Sequence, residues 1–120
     1  VVLPLIKQFA DTAEYYSTAF HELTHSTGHP TRLNRITETA RFGSASYSRE
    51  ELCAELGASF ILNNLGIETP SSFRNNAAYI NHWLGVLKED KRLLVSAAGQ
   101  ADKAVRLIWG EEADSDVLEG

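Results

Sequence analysis

His21 and His25 stand four residues apart, with Glu22 between them, in the run FHELTHSTGHP (residues 20–30). Only a helix turns that spacing into one face: at about 3.6 residues per turn, side chains at i and i+4 lie one above the other. Two imidazoles so placed aim their nitrogens at a single point, and zinc accepts such nitrogens at about 2.0–2.1 Å. The adjoining Glu22 carboxylate can take a proton from a metal-bound water whose pKa the ion has brought down to roughly 7. The spacing therefore predicts a helix first and a metal centre second. The competing reading is two surface histidines on an amphipathic helix. Against it stand the helix's own signals: a capping box from Asp11 and Glu14, and Gly28 where a left-handed cap would end the helix. Ala13, Tyr16, Phe20, Leu23 and Thr27 recur as an inward stripe beside the histidines.

A catalytic zinc needs a third protein ligand and an open fourth position. The longer pattern H-E-x-x-H-x-x-G-x-x-H supplies a histidine after a glycine turn. Gly28 fits it, but the last slot is Thr31, a poor zinc ligand, and His29 comes two residues early. A hydrogen bond in the loop is the expected role of His29, with an approach to a metal or a substrate oxyanion as the alternative. The other route to a third ligand is a carboxylate from a second helix. Glu51 and Glu55 lie one turn apart in SREELCAELGASF, beside the small residues Ala54, Gly57 and Ala58. Unpaired buried charges are costly. One carboxylate on the metal and one receiving an imidazole N–H would satisfy both. Two plainer readings stand beside this one: Ser48 with Glu51 as a capping box, and Glu55 on a solvated helix face.

The remaining chain reads as mainly helical, with an α+β remnant. Residues 30–47 form a polar loop with several arginines. A second helix is expected from near Ser48 to Gly66, then a break at ETPSS and a third helix over about Asn76–Leu87, with Ile80, Trp83, Leu84 and Leu87 inward. Asp90 caps a fourth, whose stripe is Leu94, Ala98, Ala101, Val105 and Ile108, ended by Gly110. The one strand candidate is the opening VVLPLI, confined by Pro4 to an edge or a strand end.

A chain of 120 residues, 43% apolar and 22% charged, is one modest globular domain. No apolar run approaches the roughly 20 residues that cross a bilayer. Neither a signal peptide nor an initiator Met is visible, and the start on an apolar run reads as a piece of a longer protein. The lone Cys53 excludes internal disulfides and cysteine metal sites, reads as a small buried apolar group, and fits a reduced, cytoplasmic setting. Five of the acidic residues crowd into EEADSDVLEG, leaving eleven acidic against eleven basic in the body. That confines the net charge of −5 to a solvated tail (residues 111–120) after a domain at 1–110, and it counts against a DNA-mimicking acidic surface or a basic nucleic-acid footprint.

HELTH followed by a helix carrying Glu51-x-x-Ala54-Glu55 resembles the zincins whose third ligand is glutamate. With YYSTAFHELTHSTGHPTRLNR, FGSASYSREELCAELGASF and AAYINHWLGVLKEDKRLLVSAAGQADKA, the chain is similar to the carboxy-terminal, zincin-like metallopeptidase domain of ArdC-type antirestriction proteins. TraC-type plasmid primases share that arrangement. The resemblance implies an HExxH helix packed with a glutamate helix and two further helices. It implies Zn2+ on His21, His25 and Glu51, with Glu55 orienting an imidazole and Glu22 activating water. Tyr47 and His29, with Tyr15 and Arg32 behind them, are the candidates to meet an oxyanion or substrate. It implies a peptide or protein substrate, no membrane, and single-stranded DNA bound only through an amino-terminal domain that is not in these 120 residues. The upstream sheet expected of zincins is largely missing. The alternative function is a catalytically silent, zinc-stabilised domain that binds a partner in DNA protection.

Overall fold

The structure, a computed structural model, describes residues 3–9, 11–36, 44–88 and 90–110. After a 3-10 turn at Ile6–Gln8 come four helices: α1 (Thr12–Ser26), α2 (Ala45–Leu65), α3 (Pro70–Val86) and α4 (Lys91–Trp109). No strand occurs among the described residues, so residues 3–6 of the opening VVLPLI do not form the expected strand, and residues 1 and 2 lie outside the described residues. Leu3–Leu5 lead directly into the 3-10 turn. The acidic tail and residues 37–43 of the loop lie outside the described residues.

α2 is the central helix and packs against each of the other three. Its long buried face runs from Ser48 through Leu52, Cys53, Ala54, Glu55, Gly57 and Ala58 to Ile61 and Leu62. Small residues at 54, 57 and 58 let neighbouring backbones approach, and Ala97, Ala101 and Ala104 do the same on α4. The apolar core forms where α2, α3 and α4 meet. Leu52, Leu87 and Ala97 are buried there, flanked by Leu56, Ile80, Trp83, Leu84, Leu93 and Leu94. Each such large side chain, taken fully out of water, contributes about 1.5–3 kcal/mol.

Sequence signals placed α4 well. Asp90 accepts from the Arg92 amide at 2.9 Å, and Gly110 takes the left-handed conformation (φ 82°) that closes the helix, as Gly66 does for α2 (φ 70°). Two helices start earlier than the pattern suggested. α2 begins at Ala45 because Ser44, not Ser48, is its cap, accepting from the Tyr47 amide at 3.2 Å. Ser48 is buried inside the helix, so the Ser48–Glu51 capping box does not form. In α3 the apparent break is the start: Thr69 caps, Pro70 takes the first turn where its missing N–H costs nothing, and Ser72 completes a capping box.

α1 differs more. Asp11 caps it through the Ala13 amide at 2.9 Å, but Glu14 does not close the box. The helix buries Ala13, Ser17 and Thr24, followed by Thr27, while Tyr16 and Leu23 are exposed. Its packed face is small and polar rather than greasy. Those hydroxyls are satisfied locally or across the interface: Thr24 to the Phe20 carbonyl (2.8 Å), Thr27 to the Thr24 carbonyl, Ser17 to Asn76 Oδ1 (2.9 Å). Gly28 is not a left-handed cap, since its φ is not positive. It is a close-approach site. A β-carbon there would stand 2.8 Å from the Ile36 side chain, and its carbonyl accepts from the amides of Arg35 (3.0 Å) and Ile36 (2.8 Å).

Candidate metal centre

α1 and α2 bring the histidine pair and the glutamate helix face to face. His21 Nε2 and His25 Nε2 are 3.0 Å apart, and the two oxygens of Glu51 reach them at 3.2 Å each. His21, His25 and Glu51 are the set of His, Cys, Asp and Glu side chains able to converge on one ion among the described residues. A tetrahedral ion with nitrogen and oxygen ligands at about 2.0–2.1 Å spaces them about 3.3 Å apart. The donor set fits. With both rings protonated, two N–H groups would face each other across that gap. A cation between the three groups would remove the conflict and satisfy all of them.

Behind each imidazole sits a second carboxylate. His21 Nδ1 lies 2.7 Å from Glu55 Oε1, a contact close in distance but off the N–H axis, so it is an ion pair rather than a well-directed hydrogen bond. His25 Nδ1 lies 2.8 Å from Glu50 Oε2, and since a carboxylate only accepts, the ring donates from Nδ1. Burial alone would push both imidazoles down, but the carboxylates outweigh it. Glu51 and Glu55 bring His21 up to about 10. Glu50 and Glu51 bring His25 up to about 9, against some repulsion from His21. Burial would likewise raise Glu51, yet the two imidazoles hold it down at about 2. Tyr47, one turn before Glu51 on α2, packs its ring on Trp83 at 5.7 Å. Its hydroxyl is held above its usual range by desolvation and by the negative charge of the Glu51 carboxylate.

Of the residues singled out from sequence, His21, His25 and Glu51 converge, Glu55 stands behind His21, and Tyr47 adjoins Glu51. Glu22 follows His21 on α1, half-buried and outside the ring of ion pairs that engages the other acids. His29 is exposed and turned to its own loop, accepting from the Thr31 amide at 3.1 Å. Arg32 donates to Ser26 Oγ at 3.0 Å on the surface, and Tyr15 packs edge-on with Phe9 and Tyr16. Glu50 and Arg35 were not legible. Arg35 grips both oxygens of Glu50 at 2.7 and 2.9 Å. A clue was present: Glu50 precedes Glu51 directly, and three acids within six residues of one helix leave charges that need partners.

The profile of a family described as zincin-like metallopeptidases matches residues 1–100. The chain belongs to this family. A DNA primase TraC of Escherichia coli is 42% identical over 101 residues, covering 84% of this zincin-like chain and 9% of the primase. The protein y4eC of Sinorhizobium fredii is 32% identical over 115 residues, covering 96% of the chain and 37% of y4eC. The antirestriction protein ArdC from plasmid R388, solved with Mn(II) bound, superposes with a TM-score of 0.68 at 42% identity, over 90% of this chain and 39% of ArdC. Its metal-free structure gives 0.64 at 39% identity, over 92% and 40%. The zincin-like chain thus spans under a tenth of that primase and about two fifths of ArdC.

Proposed function

We propose that this domain is a zinc-dependent peptidase centre of an antirestriction-type protein. The observation that carries the reading is the convergence of His21 Nε2, His25 Nε2 and the Glu51 carboxylate at 3.0–3.2 Å, with an acid standing behind each imidazole. These three residues would hold the ion, and imidazole with carboxylate suits Zn(II) while also accepting Mn(II), the ion in the related ArdC structure. When bound, such an ion supplies a Lewis acid and brings a water's pKa to about 7. The remaining steps belong to the chain's own side chains. Glu22 holds the proton removed from the attacking water at its carboxylate and returns it to the leaving amine. Glu55 and Glu50 keep each imidazole turned with Nε2 inward. Tyr47 stands one turn before Glu51 with its hydroxyl protonated, and that O–H would be the donor to a developing oxyanion.

Three protein ligands would leave a bound ion a fourth position for water or substrate, which favours chemistry over a structural clip. Structural zinc sites close with four protein ligands, whereas among the described residues three converge and His29 is committed to Thr31. The substrate class is a peptide, and contact with single-stranded DNA would come through other parts of the whole protein.

The decisive experiment is Glu22→Gln in the intact protein, with metal content and proteolysis measured together. Retained zinc with proteolysis reduced by about 10²–10⁴-fold is expected of a lost general base. Retained zinc with unchanged turnover would exclude this mechanism, and antirestriction undiminished in the same variant would assign that role to binding alone.

A further inference from the structure

We infer that Arg35 is a positioning residue for the metal centre: it holds Glu50 against His25 Nδ1 and thereby fixes which nitrogen of that ring faces the ion. This role presupposes the metal centre proposed above. Arg35 lies on the segment that returns after α1, ten residues beyond His25 in sequence, and its side chain is only 6% exposed. Its guanidinium meets four acceptors. Nε donates to Glu50 Oε1 (2.7 Å), and Nη2 to Glu50 Oε2 (2.9 Å) and the Thr24 carbonyl (2.8 Å). Nη1 donates to Thr27 Oγ1 (3.0 Å). One planar cation thus ties the last turn of α1 to the first turns of α2, the two segments that carry the ligands.

Glu50 Oε2 is shared between Arg35 and His25. A fork-shaped guanidinium on a carboxylate leaves that group little freedom to rotate. The oxygen facing His25 is therefore fixed, and with it the ring. The partner of the other imidazole lacks this brace: among the described residues, Glu55 is joined to His21 and to no lysine or arginine. The centre is asymmetric, with the His25 side anchored by a neutralised ion pair.

Gly28 makes the arrangement possible. A β-carbon at Gly28 would stand 3.0 Å from Arg35 Nη2 and 2.8 Å from the Ile36 side chain. Any β-carbon there would have to displace the Ile36 side chain and would crowd the Arg35 guanidinium. The glycine that imitates a longer zinc signature instead leaves room for Arg35.

The test compares wild type, Arg35→Gln, Glu50→Gln and the double variant in the full chain. Zn(II) affinity is read by competition with a chromophoric chelator, and ligand geometry by the visible absorption of the Co(II)-substituted protein at saturation. Each single change is expected to weaken Zn(II) by about 10–100-fold and to alter the Co(II) bands, which a purely structural role would leave alone. The double variant should be no weaker than the worse single, because the two side chains act as one unit. Affinity within about twofold of wild type in Arg35→Gln, or losses that multiply in the double variant, would overturn the role. Should Arg35→Gln fail to fold with Glu50 left as an uncompensated buried charge, the double variant, which removes both charges, decides. Weakened Zn(II) with altered Co(II) bands supports the role, and wild-type values for both sink it. Wild type that binds neither ion brings down the metal centre itself, whereas failure of the Arg35 link alone leaves wild-type binding intact.

Discussion

Gly57 of α2 lies so close to Thr24 of α1 that a β-carbon on it would stand 2.6 Å from Thr24 Oγ1 and 2.7 Å from Cγ2. Thr24 cannot give way, being fully buried with its hydroxyl bonded to the Phe20 carbonyl. This contact sets the distance between the two helices that carry the candidate ligands. Gly57→Ala is expected to destabilise the metal-free fold by about 1–3 kcal/mol, the usual cost of overpacking, and to weaken metal binding because Glu51 rides outward with α2. Adding Thr24→Ala should recover part of both losses by removing the two clashing atoms. Denaturant melts and metal titrations of the three variants check this. A Gly57→Ala protein as stable as wild type would mean that the helices do not meet there.

The proposed metal centre gives Glu51 and Glu55 of α2 separable roles. Glu51 meets both Nε2 atoms on the inner side, whereas Glu55 meets His21 from behind at Nδ1. Glu51→Ala should therefore abolish stoichiometric zinc in the purified protein, and Glu55→Ala should weaken it by about 10–100-fold without abolishing it. Metal analysis after dialysis against a weak chelator distinguishes the two. Zinc lost completely in Glu55→Ala and kept in Glu51→Ala would reverse the ligand assignment.

What sequence could and could not reveal follows from the range of the contacts. His21, His25 and the Glu51–Glu55 pair were legible because each pair lies one helical turn apart. Glu50 and Arg35 were not, since their bonds to His25 and to each other span 25 and 15 residues. Of the stripe expected on α1, Ala13 and Thr27 are buried, but Tyr16 and Leu23 are exposed, because periodicity counts greasy side chains. Beside Ala13, the face α1 presents is Ser17, Thr24 and Thr27, whose hydroxyls are consumed by hydrogen bonds and which therefore pack as small apolar groups do. The start of α2 went astray because SASYS offers three serines that cap equally well in isolation.

The metal-free protein should lose stability as pH rises from neutral. His21 and His25 are raised from 6.5 to about 10 and about 9 in the folded state. A raised histidine contributes stability that is complete below the unfolded pKa and is lost as pH climbs through the folded value. For this pair the loss runs from about pH 6.5 through 9 to 10. Glu51, held near 2, works the other way: its contribution is present above 4.5 and fades as pH falls toward 2. A bound cation needs neutral imidazoles, so the metal-loaded protein should show no such alkaline slope, and uptake near pH 7 should release protons. Denaturant melts from pH 6 to 10 with and without chelator test the first point, and calorimetry in buffers of differing ionisation enthalpy tests the second. Metal-free stability that climbs over this range would contradict the sign.

Cys53 gives an internal reporter for the same linkage. It is fully buried, and burial pushes its thiol up to about 12, with Arg35 opposing and Glu50 adding to the shift. A thiol so placed is protonated and shielded at pH 8, so an aromatic disulfide reagent should reach it only when α2 leaves the core. The labelling rate then follows the population of the opened state. An ion that binds only the folded protein, present at about 100 times its Kd, should slow labelling about a hundredfold. Glu51→Ala should label at one rate with or without the ion. Labelling of wild type at the speed of a free thiol would put Cys53 outside the core, and a wild-type rate indifferent to zinc would mean that no ion is held by the folded state.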